Sequence, residues 1–185
     1  LKINIVNGKK HMSQEPQKPE AVYYFGTCLM DTIYPQAGLA GLKLIRREGV
    51  QVIFPRQQSC CGQPAYNSGF PNEAKKVALK QVRVFTKNYP IVVPSGSCAG
   101  MICRHYPALL DGQWRERAQA LAEKTWELTR FLAEVMKLDT APAVTTDLPA
   151  ITYHDSCAGL REMGVREQPR GLLRALCGVE VTEMQ

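Results

Sequence analysis

The sequence has no run of about 18 uninterrupted apolar residues, the length that a membrane-spanning helix requires. Its amino terminus also lacks the basic start and apolar stretch of a secretory signal. We therefore predict a globular protein without a membrane span, located in the cytoplasm. Because 45% of its 185 residues are apolar, the chain has enough of them to form a buried core.

The sequence also lacks a large excess of one sign of charge. The formal net charge of +6 is too modest to indicate nucleic-acid binding. No Ser-His-Asp order, phosphate-binding loop or pair of carboxylates stands out, so we expect neither hydrolase nor kinase activity from the chain alone.

The seven cysteines are an odd number without a secretory signal, which argues against a disulfide framework and favours metal or redox chemistry.

Residues 1–20 differ from the rest of the chain. They mix Lys, Gln, Pro and Glu without a sustained hydrophobic period, and His11-Met12 is typical of a cloning junction followed by a native start. We predict a mobile leader, partly vector-derived, that lies outside the fold. An edge strand over residues 1–6 is the alternative.

The remaining sequence alternates short apolar runs with amphipathic stretches. The apolar runs predict strands over residues 22–25, 50–54, 91–93 and 150–153. Helical spacing predicts helices over residues 36–48, 72–88, 98–110 and 113–138, with a loop at 57–70 and a connector at 140–149. Strands separated by helices predict an α/β fold with a mainly parallel, Rossmann-like sheet and helices on both faces.

Four cysteines fall where predicted strands end. Cys28 follows the first strand, Cys60-Cys61-Gly62 lies after the second, and Cys98 follows the third. Because ligand sites of such sheets lie outside the carboxyl ends of the strands, we expect these thiols to meet at one rim. They are therefore candidates for an iron-sulfur cluster or for thiol redox chemistry.

The adjacent cysteines set a geometric condition. Neighbouring side chains of a strand point to opposite faces, so Cys60 and Cys61 converge on one object only if the backbone turns there. Gly62 and Pro64 favour such a turn. A single zinc ion is usually held by C-x-x-C knuckles, whereas a cluster of several irons accepts two adjacent thiolates.

An internal repeat appears at an offset of 129 residues, where Val22-Tyr-Tyr-Phe-Gly-Thr-Cys28 matches Ile151-Thr-Tyr-His-Asp-Ser-Cys157. We predict one complete module over residues 21–149 and the truncated start of a second over residues 150–185. Such a partial module is expected to dock on the first, to pair between chains as a homo-oligomer, or to remain loose.

These motifs resemble a known domain family. The spacing of Cys28, Cys60-Cys61-Gly62 and Cys98 is similar to that of the cysteine-rich CCG domain of heterodisulfide reductase and of the iron-sulfur subunits of glycerol-3-phosphate and glycolate dehydrogenases. The segments YYFGTC, SCCGQPAYNSG, PSGSCAGM and YHDSC resemble the lactate-utilisation protein A family in particular.

The resemblance implies a function. It implies a non-catalytic, iron-sulfur electron-transfer component of an L-lactate-oxidising complex, working beside other subunits. The cluster, [4Fe-4S] by resemblance, would be held by Cys28, Cys60, Cys61 and Cys98. Protein purified in air is expected to lose it.

One position departs from the family motif. The family ends this motif in C-x-x-C, whereas here Met101 takes the place of the last cysteine. Cys103 is a substitute ligand only if the helix start is irregular, and Cys157 would be a ligand only in an intact second module. Two alternatives to a cluster protein stay open at this point: a metal-free thiol-disulfide redox module, and a zinc-stabilised or metal-free docking scaffold.

Overall fold

A computed structural model describes residues 17–138 and 150–184. Its main sheet has four parallel strands in the spatial order β2-β1-β3-β4. These are β1 (Ala21–Tyr24), β2 (Gln51–Ile53), β3 (Ile91–Val93) and β4 (Thr125–Glu127). Parallel neighbours need crossover connections, which helices supply here. The predicted α/β fold with a parallel sheet is confirmed.

Helices fill each interval between strands. The first interval holds α1 (Cys28–Ile33) and α2 (Pro35–Arg47), and the second holds α3 (Gln63–Asn67) and α4 (Pro71–Val84). After β3, α5 (Gly96–Gly100) continues through a π-helical turn (Met101–His105) into α6 (Tyr106–Leu109), and α7 (Gly112–Glu123) follows. After β4, α8 (Leu128–Arg130) continues into a second π-helical turn (Phe131–Val135).

The core lies on both faces of the sheet, because side chains alternate along each strand. Tyr23 and Ile91 pack on one face, with apolar side chains of α4, α6 and α7. Val22 and Val92 pack on the other face, with Ile45 of α2 and the second π-helical turn. The two central strands β1 and β3 are therefore buried throughout, as a strand covered by helices on both sides must be.

A second, smaller sheet lies near the carboxyl end. It pairs β5 (Ile151–Thr152) with β6 (Val181–Thr182) in parallel, and α9 (Cys157–Met163) and α10 (Glu167–Cys177) connect them. The pairing of Ile151 with Val181 repeats that of Val22 with Val52 at the offset of 129 residues found in the sequence.

The repeat extends to the ends of the helices. Thr27 Oγ1 accepts a hydrogen bond from the Met30 amide at the start of α1, and Ser156 Oγ accepts one from the Gly159 amide at the start of α9. The same local signals thus build β1-α1-α2-β2, here called the first unit, and β5-α9-α10-β6, the second unit. Their assignment to modules at residues 21–149 and 150–185 stays a prediction.

The second unit docks on the main sheet and its helices. Helix α9 crosses α5 so closely that a Cβ atom added to Gly96 would lie 2.6 Å from Gly159 Cα. Met163 of α9 and Leu172 of α10 enter the cores on opposite faces of the main sheet. The described residues thus show docking within the chain, and pairing between chains as a homo-oligomer stays a prediction.

Four predicted elements were wrong in part. The helix predicted over residues 113–138 is interrupted at Lys124, and Thr125–Glu127 form β4 at the sheet edge. Residues 150–153, predicted as the fourth strand, pair with β6 instead. The predicted loop at 57–70 contains α3, and the helix predicted to end at 88 ends at Val84.

No helix in residues 17–138 or 150–184 is long and apolar enough to cross a membrane. The predicted edge strand at 1–6 and the connector at 140–149 lie outside the described residues.

Candidate thiol site at the sheet rim

The four cysteines predicted as ligands lie at the point where the strand order of the parallel sheet reverses. From β1 the chain crosses to β2 on one side, and β3 and β4 lie on the other side. In parallel sheets, the crevice at such a switch point is the usual ligand site. Cys28 begins α1 directly after β1, and Cys98 lies in α5 directly after β3.

The cysteine sulfurs approach one another in two pairs. Cys28 Sγ lies 3.5 Å from Cys60 Sγ, and Cys61 Sγ lies 3.2 Å from Cys98 Sγ. The first pair is the outer one, because Cys28 is exposed and Cys60 is half-buried. The second pair is the inner one, with Cys61 and Cys98 both buried. The rim therefore gathers all four predicted thiols, with one side open to solvent.

A sharp turn lets the adjacent cysteines serve both pairs. Gly62 has a φ of +85°, in the left-handed region that glycine adopts readily, and it begins α3. A Cβ atom at this position would also lie 3.2 Å from Val77 Cβ in α4. The turn predicted from Gly62 and Pro64 is therefore present, but the sulfurs of Cys60 and Cys61 contact different partners, Cys28 and Cys98, where the sequence analysis expected the turn to bring them to one object.

Hydrogen bonds from the backbone reach the sulfurs. The Gly62 amide donates to Cys60 Sγ at 3.4 Å. Partial desolvation and the nearby Cys60 raise the pKa of the Cys28 thiol, whereas the Leu29 amide acts in the opposite direction. Amide hydrogen bonds of this kind stabilise negative charge on sulfur, which is the charge that a metal-binding thiolate carries.

The inner pair is joined by a hydrogen bond in which the Cys61 thiol donates to the Cys98 sulfur. This hydrogen bond, together with burial, raises the pKa of Cys61 well above that of an ordinary thiol. The same hydrogen bond lowers the pKa of Cys98 and the Ser95 hydroxyl adds to this effect, whereas burial acts in the opposite direction.

A cleft of about 690 Å³ opens beside the thiols. Its described lining combines Cys28, Cys61 and Cys98 with apolar side chains of α1 and with Ser156 of the second unit. The polar side chains at this wall are thiols, hydroxyls and the Gln63 amide, with neither carboxylate nor imidazole among the described lining residues. That donor set suits a thiolate-bound group such as an iron-sulfur cluster, which is held by cysteine sulfurs.

The sulfurs do not form a preassembled metal site. Within residues 17–138 and 150–184, no group of three or more Cys, His, Asp or Glu side chains has metal-binding geometry. The contacts are pairwise because a thiol hydrogen-bonded to its neighbour lies closer than two ligands of one metal. With Zn–S bonds of about 2.3 Å, tetrahedral sulfurs would be about 3.8 Å apart.

The other predicted positions lie apart from the four thiols. Cys103 lies within the π-helical turn, the irregularity that the sequence analysis required, but its sulfur contacts the carbonyl oxygens of Ala122 and Thr125, at 3.6 and 3.8 Å. Burial raises its pKa to about 11, which keeps this thiol protonated. Met101 is fully buried in the core, and Cys157 is exposed at the start of α9.

Sequence reasoning missed the groups that hold the cysteine turn. The Tyr106 hydroxyl donates to the Cys61 carbonyl at 2.8 Å, and Gln81 Nε2 donates to the Ser59 hydroxyl at 2.6 Å. Both side chains are fully buried. One signal was present in the sequence: Gln81 is a polar residue on the inward, apolar face of α4, where an unpaired amide would be costly.

Comparison with known protein families agrees with this geometry. Residues 22–103 match the family model of the CCG cysteine-rich domain, and this range contains all four rim cysteines. The fold and the thiol rim thus define a cysteine-rich CCG protein of the α/β class.

Comparison with longer relatives assigns the chain to one family within the CCG proteins. The chain is 42% identical over 165 residues to lactate utilization protein A of Geobacillus kaustophilus, a match that covers 88% of the chain and 68% of the relative. It is 43% identical to the protein of the same name from Bacillus licheniformis, with the same coverage, and 41% identical to that of Macrococcus caseolyticus, covering 66% of the relative. The chain belongs to the lactate utilization protein A family.

Proposed function

We propose that this chain is an iron-sulfur electron-transfer component of a system that oxidises L-lactate. Cys28, Cys60, Cys61 and Cys98 would hold the cluster, proposed to be [4Fe-4S]. The observation that carries the proposal is the convergence of these four thiols in two contacting pairs at the sheet switch point.

The chemistry of the rim supports this proposal. A bound cluster supplies one-electron transfer, and its potential depends on hydrogen bonds to the sulfurs and on exposure to solvent. Amide groups at Gly62 and Leu29 are placed to donate such bonds. The half-exposed outer pair and the buried inner pair give the site one solvent-facing side, through which a redox partner can approach.

The lactate assignment rests on the relatives. Their name, lactate utilization protein A, describes a role in lactate use. In line with the family resemblance, we propose that substrate chemistry belongs to other subunits of the complex. This chain would pass electrons between those subunits and an acceptor.

Anaerobic reconstitution tests the cluster. Iron and acid-labile sulfide are measured per chain in the parent and in a Cys60→Ser, Cys61→Ser double variant. We expect about four of each in the parent, as a [4Fe-4S] cluster contains, and almost none in the variant.

A matched control guards against loosely bound iron. A Cys103→Ser, Cys177→Ser double variant also removes two cysteines, but neither lies at the rim according to the described contacts. It should retain the parent's iron and sulfide. Parent protein with no more iron than the Cys60→Ser, Cys61→Ser variant would refute the proposal.

The sulfur contacts favour one second candidate, a thiol-disulfide redox module. Pairs at 3.5 and 3.2 Å need little movement to form two disulfides. In that case a mild oxidant would remove four thiols rapidly and reversibly, and reconstituted protein would contain neither iron nor sulfide. If the parent binds no iron after reconstitution and loses its thiols reversibly on oxidation, this second candidate would be established instead.

A further inference from the structure

Two fully buried polar side chains contact the segment that carries the adjacent cysteines. Tyr106, at the start of α6, donates its hydroxyl proton to the Cys61 carbonyl oxygen at 2.8 Å. Gln81, in α4, donates to the Ser59 hydroxyl at 2.6 Å and lies 3.5 Å from the Cys60 carbonyl oxygen. The two contacts reach the segment from different helices.

These contacts fix the peptide planes on which the thiol directions depend. Cys60 and Cys61 are neighbours, yet their sulfurs meet different partners, Cys28 and Cys98. Rotation of the peptide plane after Cys61 would turn its carbonyl away from Tyr106 and change the backbone torsion next to the Cys61 side chain, and rotation of the plane after Cys60 would do the same for Cys60 and its contact with Gln81. A buried carbonyl that loses its donor is costly, so the hydrogen bond opposes this rotation.

An irregular helix places the tyrosine. The π-helical turn at Met101–His105 precedes Tyr106 and adds a residue to the turn, which rotates Tyr106 relative to a continuous α-helix. Turns of this kind frequently occur at functional sites. Burial raises the pKa of Tyr106 well above its usual value, so the hydroxyl keeps the proton that it donates.

We propose that Tyr106 and Gln81 are positioning residues that set the directions of the Cys60 and Cys61 thiols. Tyr106 holds the carbonyl of Cys61, and Gln81 holds the residue before Cys60. They act through the backbone and need not touch the group that the thiols bind. The inference deepens the proposed function, but its first test is independent of any cluster.

The first test maps cysteine pairing in metal-free protein. Diamide removes two electrons and two protons from each pair of thiols that forms a disulfide. Peptide mass spectrometry of the parent should find Cys28 joined to Cys60 and Cys61 joined to Cys98. In Tyr106→Phe and in Gln81→Met, other pairings, including Cys60 with Cys61, should increase about fivefold, the factor expected from one lost hydrogen bond.

Tyr24→Phe is the matched control. Tyr24 is also buried, and its hydroxyl donates to a backbone carbonyl, that of Gly38 at 2.9 Å, on the other face of the sheet. This variant loses a comparable hydrogen bond and should keep the parent's pairing. If Tyr106→Phe does not fold, as judged by circular dichroism, Gln81→Met is the deciding variant.

The second test uses reconstituted protein. We expect altered electron paramagnetic resonance spectra in both variants and the parent's spectrum in Tyr24→Phe. Unchanged pairing in Tyr106→Phe and Gln81→Met would overturn the inference, even if the parent binds a cluster. Altered pairing in a chain that binds no iron would instead refute the cluster while supporting the positioning role.

Discussion

The first and second units share one local design but have different surroundings. In the first unit, β1 lies in the middle of a four-stranded sheet and is fully buried. In the second, β5 has only β6 beside it among the described strands, and its residues are half-buried or exposed. The comparison indicates that the helix caps and the register between strands follow from local sequence. The burial of a strand, and the groups that its cysteine can contact, depend on which other elements pack beside it.

The cysteines show the same contrast. Cys28 and Cys157 occupy equivalent positions, each as the first residue of a helix capped by a hydroxyl side chain. Cys28 contacts Cys60 at the thiol rim, whereas Cys157 is exposed at the start of α9. Equivalent positions in the repeat therefore have different surroundings.

Polar contacts hold the second unit together where its sheet is small. The Arg170 guanidinium forms paired hydrogen bonds with Asp155 at 2.9 Å and with Glu183 at 2.6 and 2.9 Å. Only 8% of the Arg170 side chain is exposed. This arginine joins the end of β5 to the end of β6, where a larger sheet would supply strand neighbours.

The largest expected effect separates the two equivalent cysteines. Cys28→Ser should lower the iron retained after anaerobic reconstitution about tenfold or more, because a thiolate ligand is lost. Cys157→Ser should retain the parent's iron. Equal loss in both variants would show that the second unit takes part in the site, and equal retention would remove Cys28 from the ligand set.

The next effect concerns the contact between the second unit and α5. Gly96→Ala should destabilise the protein by about 1–3 kcal/mol, because the new Cβ would lie 2.6 Å from the Gly159 backbone. Gly171→Ala, which meets nothing within 4 Å, is the control and should stabilise α10 by about 0.5–1 kcal/mol. Urea unfolding measures both. A neutral Gly96→Ala would mean that α9 does not dock so closely on α5.

Removal of the arginine should loosen the second unit selectively. Arg170→Met removes the cation that is hydrogen-bonded to both Asp155 and Glu183, so hydrogen exchange of the β5 and β6 amides should accelerate about tenfold. Arg174→Met on the same helix breaks only an exposed ion pair with Glu180 and should change exchange less than about twofold. Accelerated exchange in β1 as well would contradict the selectivity.

The smallest expected effect depends on pH. Hydrogen bonds with Arg170 lower the pKa values of Asp155 and Glu183 below their ordinary range. A carboxyl group with a lowered folded pKa stabilises fully above its unfolded value, about 4, and this contribution is lost as the pH falls through the folded value. Amide shifts of β5 and β6, followed by NMR on acidification, should therefore change below about pH 4. In Arg170→Met the change should occur at higher pH.

Much of the first unit, and β3 beside it, was predictable from sequence. Regular periodicity predicted β1, α2, β2 and β3 within one or two residues, because local propensity and burial agree there. The meeting of the rim cysteines followed from the rule that parallel strands end at one edge. The thiol directions did not follow, since they depend on Gly62 and on contacts from distant helices.

The missed strand has a different physical origin. Thr125–Glu127 is three residues long and lies between two helical segments whose apolar spacing is continuous across it. Pairing with β3 decides the conformation of this segment. Thr125 pairs with Ile91, and Trp126 packs against the core that contains Val22 and Val92, on the face of the sheet opposite to Ile91. A tertiary contact overrides local helix propensity, which a reading of periodicity alone does not detect.

The position of β1 in the sheet has a consequence for synthesis of the chain. Its partners are β2, at residues 51–53, and β3, at residues 91–93. Of the described strands it leaves the ribosome first, yet it completes its hydrogen bonding only after residue 93 has emerged. Until then its apolar segment, Ala21 to Phe25, is available to other chains, and parallel pairing over such sequence distances is slow. Slower translation before residue 93 would therefore favour aggregation over folding.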